Sequence, residues 1–172
     1  PLEVCDVDNN SVANFDLTSK IDEILNGLDP LLYVVTFHTT AQAANAGTNA
    51  IADPSNYSNI TSSIVFVRVQ EIASGCTSIV RLVLQANPSP VVARPIATYQ
   101  LCDNDFDGFE VFDLAGKIPS IVGNQTGLEV TFYYTNADAI SKTSPLASPY
   151  QNVVQNVQTI HVRVERLNTG CY

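Results

Sequence analysis

Cys102-Asp103-Asn104-Asp105, then Phe112-Asp113-Leu114 and Lys117-Ile118, repeats a stretch met 97 positions earlier as Cys5-Asp6-Val7-Asp8, Phe15-Asp16-Leu17 and Lys20-Ile21. Nine of the 21 positions from 5 to 25 are identical to their counterparts. Past residue 34 the offset becomes 95, so the second copy has lost two residues in a loop. Val35-Thr36-Phe37 then meets Val130-Thr131-Phe132, Val67-Arg68-Val69 meets Val162-Arg163-Val164, and Gly75-Cys76 meets Gly170-Cys171. Matches in one order over a whole repeat make the chain two tandem modules of ordinary domain size. The joint lies at Asn87-Pro88-Ser89-Pro90, where two prolines stop a strand and give a stiff connector. The expected modules are residues 1–90, with an incomplete opening strand, and residues 91–172, without their last strand. The expectation is a piece of a longer array.

Within a module the pattern is mainly β. Residues 34–39 and 129–135 are rich in Val, Thr, Phe and Tyr, as strands are. Residues 64–71 and 159–166 largely alternate apolar and polar side chains, the signature of a half-buried strand. Residues 80–84 read as another strand, and Ala73-Ser74-Gly75 as the turn of a hairpin. Leu17, Ile21, Ile24 and Leu25 fall on one helical face, with Asp16 or Thr18 to cap the start and Gly27 after the end. Leu114, Ile118, Ile121 and Val122 repeat that stripe, weakened by Gly116 and Pro119. The expected fold is two tandem immunoglobulin-like β-sandwiches, each with one short helix.

Composition narrows the function. The 172 residues carry 17 acidic and 8 basic side chains, a formal net charge of −9. Residues 1–90 account for −6 (9 acidic, 3 basic) and residues 91–172 for −3 (8 acidic, 5 basic). An acidic chain repels phosphate backbones, so no nucleic acid is expected as a partner. Apolar runs are strand-sized, such as Ile64-Val65-Phe66-Val67, so no direct membrane insertion is expected.

Each module carries two cysteines, Cys5 and Cys76, then Cys102 and Cys171. Four cysteines allow three pairings. The repeat favours Cys5–Cys76 and Cys102–Cys171, because each module then closes on itself. Free buried thiols or a four-cysteine zinc site are the alternatives, but zinc sites usually contain closely spaced pairs and this chain has none. Disulfides imply an extracellular location.

Asp103-Asn104-Asp105-Phe106-Asp107-Gly108 reads D-x-D-x-D-G, the opening half of a calcium loop. Ca²⁺ takes six to eight hard oxygens, alternate residues of a tight turn aim carboxylates inward, and the glycine permits the turn. Asp103, Asp105 and Asp107 are the expected ligands, with the Phe109 carbonyl, and with Asp113 or Glu110 in place of the usual closing Glu. The first module offers Asp6, Asp8, Asn10 and Asp16, with Ser11 where glycine fits best. A solvated Asx-rich turn without metal is the alternative.

Catalytic constellations fail. His38 and His161 are not repeat-equivalent, being matched to Tyr133 and Phe66, and each reads as a surface or edge strand histidine. No G-x-S-x-G, H-E-x-x-H or phosphate-binding glycine loop occurs. Tyr133, Tyr134 and Tyr150 offer a sugar platform, with ordinary packing the favoured reading. Arg68 and Arg163 are expected in a paired structural role. Asn-x-Ser/Thr triplets begin at Asn9, Asn56, Asn59 and Asn124.

The combined series is Cys-Asp-x-Asp-x-Asp-Gly, Phe-Asp-Leu, a short helix, Val-Thr-Phe-Tyr-Tyr-Thr, Val-Arg-Val and Gly-Cys-Tyr. It resembles the tandem repeats of large type IX-secreted surface adhesins of gliding Bacteroidetes, the gliding-motility adhesin family. The resemblance covers nearly the whole chain, with a degraded Asp loop in the first module. It implies a non-catalytic structural and adhesive repeat of a cell-surface filament. Its partners would be neighbouring repeats and a surface glycan or substratum. A carbohydrate-binding module of a secreted polysaccharide-degrading protein is the alternative.

Overall fold

The computed structural model describes residues 1–172. The chain divides into two compact units, Pro1–Pro88 and Ser89–Tyr172. The chain is mainly β, as the residue pattern predicts. No helix is long and apolar enough to cross a membrane.

In the first unit the strands are β1 (Leu2–Asp6), β2 (Asn14–Phe15), β3 (Tyr33–His38), β4 (Tyr57–Ser58), β5 (Ile64–Glu71) and β6 (Thr77–Pro88). Four of them make one sheet in the order β1-β6-β5-β3. β3 and β6 lie antiparallel to β5, with Phe37 opposite Val67 and Gln70 opposite Thr77, so Ala73-Ser74-Gly75 is a hairpin turn as expected. β1 runs parallel to the far end of β6, with Leu2 opposite Leu84 and Cys5 opposite Asn87. β2 and β4 form a separate short pair, Phe15 opposite Tyr57. Phe15, Leu17, Phe37, Tyr57, Val65, Val67 and Leu84 close into one buried core. Burying a side chain of this kind stabilises a fold by about 1.5–3 kcal/mol.

The expected helix begins as a 3-10 turn at Leu17–Lys20, and its N-cap Asp16 accepts from the Thr18 amide. It continues as α1 (Ile21–Leu25), which ends at Asn26 in the left-handed region. A second helix, α2 (Ala41–Ala46), corrects the expectation of one per module; Thr40 caps its start and Gly47 ends it at φ 65°.

The second unit repeats this plan. Its strands are β7 (Val111–Phe112), β8 (Leu128–Tyr133), β9 (Tyr150–Gln151) and β10 (His161–Arg166), and its helices α3 (Ile118–Val122) and α4 (Asn136–Ser141). β7 pairs with β9, Phe112 opposite Tyr150, as Phe15 stands opposite Tyr57. β8 pairs with β10, Val130 opposite Val164. Leu114, Ile121, Val122, Phe132 and Val164 form its buried core. The opening strand departs from expectation. The first unit has it as β1, whereas the counterpart at residues 99–103 forms none. β1 needs β6 as its partner, and at the repeat offset only Tyr172, the match of Thr77, represents β6 in the second unit.

Candidate functional site

The two Asp loops share one backbone shape. In the second unit the Asp103 carboxylate accepts from the Phe106 amide at 2.8 Å and from the Gly108 amide at 2.8 Å. In the first, Asp6 accepts from the Ser11 amide at 2.6 Å. Asn9 and Ser11 lie at positive φ (57° and 67°), as do their counterparts Phe106 and Gly108 (62° and 81°). Ser11 therefore adopts the strained conformation that glycine takes freely. Asp8 accepts from the Asn10 side chain at 2.7 Å, and Asn10 accepts from the Val12 amide at 2.7 Å.

Asp103, Asp105 and Asp107 each bring a carboxylate oxygen within 4.8 Å of the others. The Gly108 amide holds Asp103 below the usual carboxylate range. Asp105 is pushed above it, first by its hydrogen bond with Asp103 and then by the charge of Asp107. Such crowding of like charge is what a bound cation relieves. In the first loop, Asp6 is only 3% exposed and its Oδ1 has no hydrogen-bond partner.

Other expected ligands are placed elsewhere. Asp113 accepts from the Gly116 amide at 3.1 Å and from Ser148 Oγ at 3.0 Å, so it caps the next helical turn and does not join the carboxylate group. Asp16 caps its own turn in the same way. Phe109 donates its amide to Asp107 at 2.7 Å.

One pair of residues escaped the sequence reading. Asn152 accepts from the Glu110 amide at 2.6 Å and donates to the Gly108 carbonyl at 2.8 Å. Asn59 makes the same two bonds, from the Ala13 amide at 2.9 Å and to the Ser11 carbonyl at 3.1 Å. Each Asn side chain ties the end of its Asp loop. The recurring signal was Tyr-x-Asn, at Tyr57-Ser58-Asn59 and Tyr150-Gln151-Asn152. The Asn59 amide nitrogen is thus engaged by backbone, which disfavours it as a glycan acceptor.

The cysteines overturn the expected pairing within modules. Cys5 and Cys171 are disulfide-bonded, whereas Cys76 and Cys102 are exposed free thiols. The reason is register. Cys5 stands opposite Asn87 at the end of β6, while Cys76 immediately precedes its start. At about 3.3 Å per residue the two ends of β6 are roughly 35 Å apart, and a disulfide needs Cα atoms within about 7 Å. Cys171 occupies a turn like that of Cys76. The Arg166 amide donates to the Cys171 carbonyl as the Glu71 amide does to Cys76, at 2.8 and 2.9 Å.

The chain matches the Flavobacterium inter-domain disulphide bond domain twice, over residues 1–90 and 98–172. It belongs to that family. No curated protein and no solved structure matches it.

Within this tandem pair of inter-domain disulphide bond domains, the remaining polar residues hold the frame. Arg163 donates to Glu165 from Nε at 2.8 Å and pairs with it through Nη2 at 2.7 Å. Its Nη1 reaches the Ala139 and Ile140 carbonyls of α4, at 3.1 and 3.4 Å, and its guanidinium lies 3.3 Å from the Tyr172 ring centroid. The counterpart Arg68 makes one side-chain bond, to Gln70 at 2.7 Å, and its Nε is buried without a partner. His38 is a correction. It is buried, not at an edge, and its two nitrogens lie 2.9 Å from Thr36 Oγ1 and from the Thr48 carbonyl. Tyr133 is 1% exposed, so its ring is unavailable to stack on a sugar, and Tyr150 accepts from Gln158 at 2.7 Å. Tyr134 and His161 line a shallow hollow of about 330 Å³ with Asn136 and Gln158.

Proposed function

We propose that the chain is a non-catalytic, tension-carrying segment of an extracellular surface adhesin, in which a Cys5–Cys171 disulfide joins successive modules. The placement of the cysteines carries this reading. The opening cysteine sits where β6 leaves its module, and the closing cysteine sits at the turn where β6 begins. A bond between Cys5 of the first module and Cys171 of the second therefore staples an exit to the next entry. The family's description and the resemblance to gliding-motility repeats support the same assignment. The partners in this reading are neighbouring repeats and a substratum or surface glycan.

Single-molecule pulling from the two termini tests it. The oxidised protein should extend little, because force passes from Cys5 to Cys171 directly. After reduction the same chain should release about 570 Å. Full release without reductant would refute the staple. A glycan array separates the adhesive reading from a carbohydrate-binding module: tight, saturable binding by the chain would favour the latter.

Calcium is the proposed cofactor of the Asp loops. Asp103, Asp105 and Asp107 would hold it in the second module, and Asp6, with its buried unpartnered oxygen, would anchor it in the first beside Asp8 and Asn10. Ca²⁺ should raise the melting temperature and EDTA lower it; no shift either way would count against the site.

A further inference from the structure

The second module gives its buried arginine carboxylate company, and the first does not. Arg163 and Lys142 share Glu165, and Lys142 also reaches Glu129. At the repeat offset these four positions become Arg68, Gly47, Gln70 and Val34. The arginine is kept and both acids are gone. Arg68 Nη1 donates to Gln70 at 2.7 Å, its Nε is buried without a partner, and its Nη2 makes no hydrogen bond. A guanidinium held this way has lost hydration without gaining the two-point acceptor that fits it.

A second cation stands beside it. In the pairing of β5 with β6, Arg68 is opposite Ile79, and Arg81 follows two residues later, opposite Phe66. The two arginines therefore share one face of the sheet as diagonal neighbours, about 7–8 Å apart at the backbone and within reach of each other's long side chains. Arg81 is exposed and forms no ion pair. β1 pairs only with residues 84–88 of β6, so Arg81 lies on an open stretch of the sheet's edge. Residues 1–90 carry nine acidic and three basic side chains, and the third basic one, Lys20, pairs with Glu23. Both unpaired arginines of an acidic module thus sit together. Thr77, opposite Gln70 on the same face, adds an exposed hydroxyl.

We infer that Arg68 and Arg81 form a carboxylate-binding site, and that its ligand is a uronate of an acidic glycan. This deepens the adhesive reading above and rests on it for the source of the ligand. The ligand carboxylate takes the role that Glu165 fills in the second module. One oxygen accepts from Arg68 Nη2 and the other from the Arg81 guanidinium, an arrangement that arginine suits better than lysine. The Thr77 hydroxyl is placed to bond a sugar hydroxyl. With one partner fully exposed, binding is weak, in the millimolar range, and weakens as salt rises. That separates it from the tight, saturable binding of a dedicated carbohydrate module.

The test titrates the full oxidised chain with trigalacturonate and follows arginine side-chain NH signals by NMR. Signals of Arg68 and Arg81 should shift together, and the fully methyl-esterified trisaccharide should shift neither. R81Q should weaken binding about tenfold, as should Q70E, which supplies an internal carboxylate to Arg68 as Glu165 does to Arg163. Q70E should also melt no lower than the unmodified chain, so its loss of binding is not a loss of fold. Absent shifts, equal binding of the ester, binding that survives both substitutions, or equal binding of an oligoglutamate would overturn the inference. Failure of the staple shows instead as full extension without reductant, a readout that these substitutions and ligands leave untouched.

Discussion

The two repeat-equivalent arginines provide an internally controlled perturbation. Arg163→Met keeps the aliphatic stem and removes the guanidinium. The loss includes a two-point pairing to Glu165 at 2.8 and 2.7 Å, two contacts to α4 carbonyls, and the Tyr172 ring contact. Breaking a buried ion pair costs about 3–5 kcal/mol when one charge is stranded. Here Glu165 keeps Lys142 at 2.9 Å, so the low end, about 3 kcal/mol, applies. Arg68→Met gives up one bond to Gln70 and also removes a buried nitrogen that has no partner. Its net cost should be about 1 kcal/mol or less. Native-state hydrogen exchange reads both modules in one molecule. R163M should speed exchange in β8 and α4 about 100-fold, whereas R68M should speed β3 and α2 about 5-fold or less. Equal acceleration in the two modules, or a larger effect of R68M, would refute the argument that satisfied donors make the difference.

Reduction, or Cys5→Ser, should destabilise the protein by about 5 kcal/mol in the loop-entropy model, seen as a fall in melting temperature of about 10–20 °C; reductant should have no further effect on C5S. Glu165 is held below its ordinary value, first by the Lys142 hydrogen bond and then by Arg163. A depressed carboxylate gives stability that is present above its unfolded value of 4.5 and lost as pH falls through the folded value. Urea midpoints of the second module should therefore drop on acidification below that point, and Glu165→Gln should flatten the drop. Gly108→Ala should deform its loop, since an added Cβ would lie 2.3 Å from Gln155 Cγ at φ +81°. Ser11→Gly should stabilise the first module by about 0.5–1 kcal/mol in thermal melts, by relieving a positive φ. Appending a copy of residues 78–88 after Tyr172 should give β10 a new neighbour and slow exchange at residues 99–103, which then gain the partner that β1 finds in β6.

The residue pattern carried the repeat, β5 to the residue, the hairpin after it and the first helix of each module. It missed β2, β4, β7 and β9 because a two-residue strand has no period to detect. It missed α2 and α4, although Thr40 with Gly47 and Thr135 before Asn136 were readable caps. In a six-residue helix most of the sequence is cap, so no apolar stripe develops. At the Asp loops, alternation correctly brought Asp103, Asp105 and Asp107 together. It did not reveal that Asp16 and Asp113 serve as helix caps, because a carboxylate at a helix start and one at a metal look alike in sequence. The closing Asn59 and Asn152 lie more than forty residues from their loops, beyond any local motif.

The cysteine error has a different origin. Equal spacing in two repeats is satisfied equally well by closure within modules and by a staggered bond between them. The choice depends on where along β6 the opening strand pairs, which periodicity does not encode. Pairing with the start of β6 would bring an early cysteine towards Cys76; the pairing of Leu2–Asp6 with Leu84–Pro88 carries Cys5 to the opposite end. That difference in register separates two mechanical designs. A bond inside a module would reinforce a core that Phe15, Phe37, Val65 and Val67 already close. A bond that leaves the module leaves that core to hold by itself, and it leaves Cys76, at the start of β6, a free thiol.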